Sequence, residues 1–261
     1  MEKIMKNYEN IILKSENHIS RITINKPPMN ILDIKTMSEI ISALREIRKQ
    51  KAIKAIVFTG AGNRCFSAGV EVGDHLPPDV KEMLHVFHGV FREMIKLEAP
   101  TIAVVNGYAL GGGAELALFC DMVIASEKSQ IGQPDIILGA FAPLALAAYP
   151  FFTWRKKLYE FLFTGDRISA KGAERIGLVN KVVPEKELKK AEDELLKKFL
   201  RISSVSIRAS KMAMAVTFNK QFEQALDIVE DIYLKELATA EDYVEGLTAF
   251  LEKRPPVWKE K

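Results

Sequence analysis

The sequence predicts an α/β fold in which strands and helices alternate along most of the chain and helices alone complete it. Short apolar runs at 53–59 and 101–106 are typical of buried strands. Stripes of apolar residues at helical spacing alternate with these runs. No strand-like run follows Pro184. This order favours crossover helices packed on a sheet over an all-β sandwich.

The first elements predicted are a hairpin and a helix. Ile22 and Ile24 alternate with polar residues after a turn-like segment at 15–18, which predicts a hairpin entering a sheet. Asp33 is a residue type that caps helices. The helix after it places these apolar residues on one stripe: Ile34, Met37, Ile41, Leu44 and Ile47.

The following segments predict strand, helix and strand, and then a helical region. The run at 53–59 ends at Gly60, and residues 80–97 carry apolar side chains at helical spacing until Pro100. The run at 101–106 leads into Gly107. Beyond Pro184 the amphipathic pattern predicts four helices, at 185–200, 205–216, 221–236 and 241–251.

Length and composition limit the class of protein. A chain of 261 residues corresponds to one large domain or one and a half. With 48% hydrophobic and 27% charged residues, disordered, collagenous and coiled-coil chains are excluded. The net charge of +3 is spread along the chain, so we expect no nucleic-acid partner. Cys65 and Cys120 form no CxxC motif, and no secretion signal is evident, so we expect a cytoplasmic protein.

One uncharged stretch is long enough to cross a bilayer. No charged residue lies between Asp135 and Arg155. Gly139, Pro143 and Pro150 interrupt this stretch, and proline inside a helix removes a hydrogen bond and adds a clash. We therefore expect buried irregular structure here and no membrane partner.

Three consecutive glycines, Gly111, Gly112 and Gly113, separate a predicted strand from a predicted helix. The backbone of such a turn can approach a ligand closely, and the N–H groups at the helix start are free to bind an anion. Gly112 and Glu115 are three positions apart and share a helix face. The spacing by itself favours the alternative, a tight turn in which Glu115 is a helix-capping acid of the first turn.

Two further segments carry candidate site residues. The small residues at 65–71 either provide another backbone donor or form a close-packed junction after a strand. Asp135 follows Pro134 and enters the uncharged stretch. Apolar surroundings disfavour the ionised form of an acid, which suits proton transfer. An aspartate after proline is also a common helix start.

In order, these three segments resemble the enoyl-CoA hydratase, or crotonase, superfamily. The resemblance also includes the runs TGDRISA at 164–170, AERIGLVNKVVP at 173–184 and FLEKR at 250–254, and it covers nearly the whole chain. It implies a spiral of ββα units over 1–195, a helical trimerisation region over 196–261 and an acyl-CoA thioester substrate. It also implies a homotrimer or a dimer of trimers, with coenzyme A present only as part of the substrate and no other cofactor or metal.

The resemblance assigns the reacting groups. The family's two backbone donors to the thioester oxygen match Val70 and Gly112, and a valine side chain leaves the donor N–H in place. The two hydratase acids match Glu115 and Asp135, and we expect Glu115 to be the base and Asp135 the acid. Family members usually carry Glu at the second position, so the side chain of Asp135 is one methylene shorter.

The resemblance also assigns substrate contacts. Ala68 matches a position whose backbone contacts the adenine of coenzyme A. Lys253 and Lys259 are candidates for its phosphates, which need cationic partners. The acyl pocket is expected to include Phe141, Pro143 and Leu144.

The chain departs from most hydratases after Gly139. It carries the apolar run AFAPLALAAYP where the family usually has a glycine-rich stretch. With the segments 70–75 and 118–121, this run most closely resembles the branch that converts cyclohexa-1,5-diene-1-carbonyl-CoA to 6-hydroxycyclohex-1-ene-1-carbonyl-CoA. The alternatives are a general enoyl-CoA hydratase of fatty-acid β-oxidation, an enoyl-CoA isomerase and a non-catalytic RNA-binding homologue.

Other residues have more ordinary interpretations. His85 and His88 share a helix face without a third metal ligand, so we expect them at a helix surface or core edge. Cys65 and Cys120 are expected to be packing residues. The aromatic residues after the uncharged run either line the acyl pocket or belong to the core or a subunit contact: Tyr149, Phe151, Phe152 and Trp154.

Overall fold

The protein is described by a computed structural model that covers residues 4–257. Its strands are β1 (Ile4–Asn7), β2 (Ile11–Glu16), β3 (Ile19–Ile24), β4 (Ala55–Gly60), β5 (Cys65–Ser67), β6 (Thr101–Val105), β7 (Tyr108–Leu110), β8 (Met122–Ser126), β9 (Gln130–Gly132), β10 (Arg167–Ser169) and β11 (Lys181–Val183). Its α-helices are α1 (Ile34–Arg48), α2 (Val80–Met94), α3 (Gly112–Phe119), α4 (Pro143–Ala148), α5 (Arg155–Thr164), α6 (Ala170–Arg175), α7 (Leu188–Leu200), α8 (Ser204–Ile232) and α9 (Glu241–Leu251).

The strands form two sheets. The larger sheet has the order β1-β2-β3-β4-β6-β8-β11, and the smaller sheet has the order β10-β9-β7-β5. In the larger sheet only the β1–β2 and β2–β3 pairs are antiparallel. In the smaller sheet β5, β7 and β9 are mutually parallel, and β10 runs antiparallel to β9.

Three successive turns of the chain repeat one pattern. Each turn adds a strand to the larger sheet, a strand to the smaller sheet and then a helix: β4-β5-α2, β6-β7-α3 and β8-β9-α4. This repetition is the predicted α/β spiral of ββα units. Because β5, β7 and β9 are parallel, their carboxyl ends lie at one edge of the smaller sheet. The segments that follow these three strands therefore meet.

The predicted N-terminal elements are confirmed. Asn17 and His18 connect β2 to β3 with positive φ angles of 49° and 65°, as a two-residue hairpin turn with the twist of the strands requires. At the start of α1, the Thr36 N–H donates to Asp33 Oδ1 at 2.8 Å, which caps the helix. The predicted stripe of α1 faces the core, although Ile34 and Ile41 are only partly buried.

The region beyond β11 is helical in the part of the chain described, as predicted. The predicted helices at 205–216 and 221–236 are not separate, however, because most of both belongs to the single helix α8. No glycine or proline lies within α8, so nothing interrupts its backbone hydrogen bonds. It ends in a π-helical turn, Tyr233–Leu237. Phe222 and Leu226 of α8 are fully buried against the main core.

The uncharged stretch after Asp135 is broken into short pieces. A 3-10 helix, Pro134–Leu138, ends at Gly139, whose φ of 78° is left-handed. α4 follows, and a second 3-10 helix, Tyr149–Phe151, leads towards α5. Across residues 4–257, no helix combines the length and apolar character needed to cross a membrane.

Candidate active site

The site lies at the carboxyl ends of β5, β7 and β9. Val70 comes after β5, Gly112 begins the helix after β7, and Asp135 comes after β9. These residues are far apart in the chain, and the parallel register of the smaller sheet brings them to one edge. The structure thus brings together the oxyanion donors and acids proposed from the sequence.

Two backbone donors adjoin in this site. Leu32 N–H donates to Gly69 O at 2.9 Å, and Glu71 N–H donates to Leu32 O at 3.4 Å. Because these bonds involve the residues on either side of Val70, the N–H of Val70 points away from Leu32. Gly112 opens α3, so its N–H has no acceptor within the helix.

The close approach of the two donor segments requires glycine at 112. A Cβ on Gly112 would lie 2.7 Å from Val70 Cγ2 and 3.0 Å from Phe87 Cζ. A Cβ on Gly69 would lie 3.4 Å from Gly112 N. The two amides are therefore in adjoining segments and are suited to bind one oxyanion.

Glu115 lies one helical turn from Gly112 and is 2% exposed. Its Oε1 accepts a hydrogen bond from Ala145 N–H at 2.8 Å, so the carboxylate is held by α4 and does not cap its own helix. Burial and the charge of Asp135 raise the pKa of Glu115 to about 8, against the opposing effect of the Ala145 and Leu144 amides. A carboxyl group with this pKa is suited to exchange protons near neutral pH.

Asp135 lies across the turn that precedes α3. A Cβ on Gly111 would lie 3.2 Å from Asp135 Oδ2, so the carboxylate rests against the glycine backbone. Oδ2 is buried and has no hydrogen-bond partner among the residues described. Burial raises the pKa of Asp135, and the charge of His75 opposes that rise. A buried carboxyl oxygen without a protein partner is suited to interact with a substrate or its water.

A second polar pair lies beside the acids. Gln133 Nε2 donates to the hydroxyl oxygen of Tyr149 at 3.0 Å, and both side chains are buried. Burial and the charge of Glu115 raise the pKa of the Tyr149 phenol well above its ordinary value, so the phenol stays neutral. The structure therefore places Tyr149 next to the acids, whereas Trp154 is 76% exposed.

Phe141, Pro143 and Leu144 lie at the start of α4, close to the amide that holds Glu115. Leu144 and Pro143 are buried, and Phe141 is partly buried. The ring of Phe141 packs edge-on against Tyr233, with centroids 4.9 Å apart. The side of the site next to α4 is therefore apolar and is completed by a residue of the C-terminal helices.

The residues proposed to contact coenzyme A follow different elements of the fold. Ala68 follows β5, and its N–H donates to Met29 O at 3.0 Å. Lys253 is exposed just after α9, a helix that packs on the 3-10 helices Val72–His75 and Pro134–Leu138. Lys259 lies outside the described residues.

Sequence reasoning did not identify four residues of this neighbourhood as polar groups of the site. Gln133 is adjacent to the proline before Asp135, and its polar side chain in an apolar context was the available signal. Tyr149 was identified only as an aromatic residue. Tyr233 packs on Phe141 from the C-terminal region, and its hydroxyl lies 3.3 Å from that of Tyr243. No local pattern in the sequence marks either tyrosine.

Comparisons with known proteins agree with this architecture. A model of the enoyl-CoA hydratase/isomerase family matches residues 14–261. The chain is 36% identical over 252 residues to the crotonyl-CoA hydratase of Syntrophomonas wolfei, covering 95% of this chain and 96% of that protein. It is 33% identical over 251 residues to the cyclohexa-1,5-dienecarbonyl-CoA hydratase of Thauera aromatica, with coverage of 95% and 96%.

The solved structures give the same result at the level of the fold. The crystal structure of an enoyl-CoA hydratase from Mycobacterium avium subsp. paratuberculosis superposes with a TM-score of 0.87 at 26% identity, covering 97% of this chain and all of that one. The sequence match, the fold and the paired amides and acids lead to one conclusion. The chain belongs to the enoyl-CoA hydratase/isomerase family of the crotonase superfamily.

Proposed function

We propose that the protein is a lyase that adds water to an α,β-unsaturated acyl-CoA thioester. The observation that carries this proposal is the placement of two acids of raised pKa, the buried Glu115 and the partly buried Asp135, beside two adjoining backbone donors. Hydration needs both the donors and the acids. Negative charge develops on the thioester oxygen, while one proton must leave water and another must be added to carbon. One donor to such an oxyanion is worth about 3 to 4 kcal/mol.

In the proposed reaction, ionised Glu115 removes a proton from water as the water oxygen attacks the β-carbon. The electron pair of the double bond moves to the thioester oxygen, where the Val70 and Gly112 N–H groups stabilise the enolate. Protonated Asp135 then donates its proton to carbon. Burial raises the pKa of Asp135, which favours the protonated form that this step requires.

We propose cyclohexa-1,5-diene-1-carbonyl-CoA as the substrate. The apolar wall formed by Phe141, Pro143 and Leu144 suits a flat alicyclic ring, and the Thauera aromatica relative is named for this acyl group. Water would attack the β-carbon, and the proton would go to the far end of the conjugated system. This 1,4-addition gives 6-hydroxycyclohex-1-ene-1-carbonyl-CoA. The Syntrophomonas wolfei relative makes crotonyl-CoA the second candidate.

The substrate is tested by measuring kcat/KM for the cyclic dienoyl-CoA and for crotonyl-CoA. We expect the cyclic thioester to be preferred by at least tenfold. A preference for crotonyl-CoA would replace the cyclic proposal with a short-chain hydratase.

The two-acid mechanism is tested with Glu115→Gln and Asp135→Asn at saturating thioester. General acid–base assistance is worth about 10² to 10⁴-fold, so each variant should lose at least 100-fold in kcat. The exposed Glu160, paired with Lys157, provides the control Glu160→Gln, which should keep kcat within about twofold. Near-parental turnover in either site variant would disprove the scheme. Loss in Asp135→Asn with survival of Glu115→Gln would indicate an isomerase.

We propose that three copies form the working molecule, as a trimer or a dimer of trimers. Met214 on α8 is 82% exposed, and Val205, Met212 and Ile228 on the same helix are also exposed apolar residues. Covering such residues is favourable. Light scattering should report three times the chain mass of 29.3 kDa for a trimer, or six times that mass for a dimer of trimers. A monomer in solution would contradict the proposal.

A further inference from the structure

Tyr233 is buried at the point where the C-terminal helices reach the site. It follows directly after α8, opens the π-helical turn Tyr233–Leu237 and is only 1% exposed. Single π-helical turns in proteins are rare and often occur at functional sites. The turn directs this side chain inwards although neighbouring residues of α8, such as Ile228 and Ile232, are exposed.

The ring of Tyr233 packs against Phe141, one of the residues proposed for the acyl pocket. It packs edge-on against Phe141 at 4.9 Å, two residues before the start of α4. The charges of Asp135 and Glu115 also contribute to the raised pKa of its hydroxyl. Burial is the main reason that the pKa of Tyr233 lies well above its ordinary value, so the phenol is neutral.

A chain of hydrogen bonds holds this ring in place. The carbonyl of His75 can only accept a hydrogen bond, and the Tyr243 hydroxyl donates to it. The single proton of the Tyr243 hydroxyl is used in that bond, so its oxygen can only accept a second one. The Tyr233 hydroxyl, 3.3 Å away, therefore donates to Tyr243. His75 ends the 3-10 helix Val72–His75, which follows closely after Val70. The chain therefore connects Tyr233 to the segment that carries an oxyanion donor.

We propose that Tyr233 is a specificity-determining residue whose ring closes the acyl end of the pocket and limits the acyl group to a compact ring or a short chain. The inference rests on the proposed function, since it concerns the acyl group of the same thioester. A wall held on one side by Phe141 and on the other by Tyr243 is not free to swing away. A long acyl chain would have to displace it.

The test measures binding of saturated thioesters, which have no double bond to hydrate. Dissociation constants for butyryl-CoA and decanoyl-CoA are determined for the parent, Tyr233→Ala and Tyr233→Phe. The parent should bind decanoyl-CoA no more tightly than butyryl-CoA, although each buried methylene is worth about fourfold in affinity. Tyr233→Ala should shift the ratio at least tenfold towards decanoyl-CoA, and Tyr233→Phe should keep it within about threefold because the ring remains.

Two outcomes would overturn the inference: a parent protein that already prefers decanoyl-CoA, or a Tyr233→Ala variant that binds butyryl-CoA but shows an unchanged ratio. If Tyr233→Ala does not fold, Tyr233→Leu replaces it, with the same expected direction and the same grounds for rejection. Hydration assays on the parent separate the two proposals. A protein that shows the expected binding ratios but hydrates neither crotonyl-CoA nor the cyclic dienoyl-CoA would refute the proposed function and leave the role of Tyr233 standing.

Discussion

Glu115 and Asp135 differ in how the protein supports their charges. The Glu115 carboxylate accepts a backbone hydrogen bond from Ala145, whereas Asp135 Oδ2 has no partner in the described part of the chain. Both are nevertheless buried enough for the pKa of each to be raised. Ionising either acid in the folded protein therefore costs stability, by an amount that depends on pH.

The pH dependence of stability provides a test of the Glu115 environment. The native pKa of about 8 exceeds the ordinary value of 4.5, so between these values the folded state binds more protons than the unfolded state. The contribution of Glu115 to stability must therefore fall as pH rises through this window, by about 1.4 kcal/mol for each pKa unit of the shift. We expect Glu115→Gln to gain stability over the parent between pH 5 and pH 9, measured by urea unfolding. Parallel curves for the two proteins would contradict the raised pKa.

At the scale of elements, the start of α3 packs backbone against backbone on β5. A Cβ on Gly113 would lie 2.3 Å from the carbonyl oxygen of Ser67, and a backbone oxygen cannot rotate away as a side chain does. This contact fixes α3, and with it Gly112 and Glu115, against the strand that leads to Val70. The two halves of the site are thus joined by the packing of a helix on a strand.

Replacing Gly113 should therefore damage the fold. We expect Gly113→Ala to lower the free energy of unfolding by about 1 to 3 kcal/mol, the usual cost of overpacking. Gly73 has no atom within 4 Å of its Cβ position and provides the matched control. Gly73→Ala should stay within about 0.5 kcal/mol of the parent in the same denaturant titration. An equal change in the free energy of unfolding for the two substitutions would show that α3 can move away from β5 at little cost.

At the scale of the whole molecule, a hydrogen bond between a buried histidine and a partly buried glutamate joins the C-terminal helices to the spiral. His88 of α2 is fully buried, and its Nδ1 lies 2.7 Å from Glu230 Oε2 of α8. The adjacent residue of α2, Phe87, lies against Gly112 in the site. The hydrogen bond from His88 lowers the pKa of Glu230, while burial lowers the pKa of His88. This pair therefore holds α8 on the helix that packs against Gly112.

Removing one partner of this pair should loosen the C-terminal helices. We expect Glu230→Ala to cost about 2 to 4 kcal/mol, because it leaves the buried ring of His88 without its partner. Asp227, on the same helix, pairs with Arg92 at 2.7 Å but is 68% exposed. Asp227→Ala should cost no more than about 1 kcal/mol in thermal and urea unfolding. A cost for Glu230→Ala that does not exceed the control would mean that apolar packing alone holds α8.

Local patterns allowed much of the fold to be predicted. The Asn17–His18 turn, the Asp33 cap and the stripe of α1 depend on neighbours within a few positions, and each was found where expected. The division at 205–216 and 221–236 was wrong because amphipathic spacing alone does not indicate whether two helical segments are continuous. The shared face of Gly112 and Glu115 was likewise local, since both lie in α3.

The sequence by itself determined the alternation of elements, the glycine turn before Glu115 and the apolar character of the stretch after Asp135. Only the tertiary structure decided that Val70 adjoins Gly112, that Ala145 holds Glu115 and that Tyr233 packs on Phe141. The physical reason is the separation along the chain between the residues that interact. Periodicity and capping act between residues a few positions apart, whereas these contacts join distant segments through the register of the smaller sheet and the packing of the C-terminal helices.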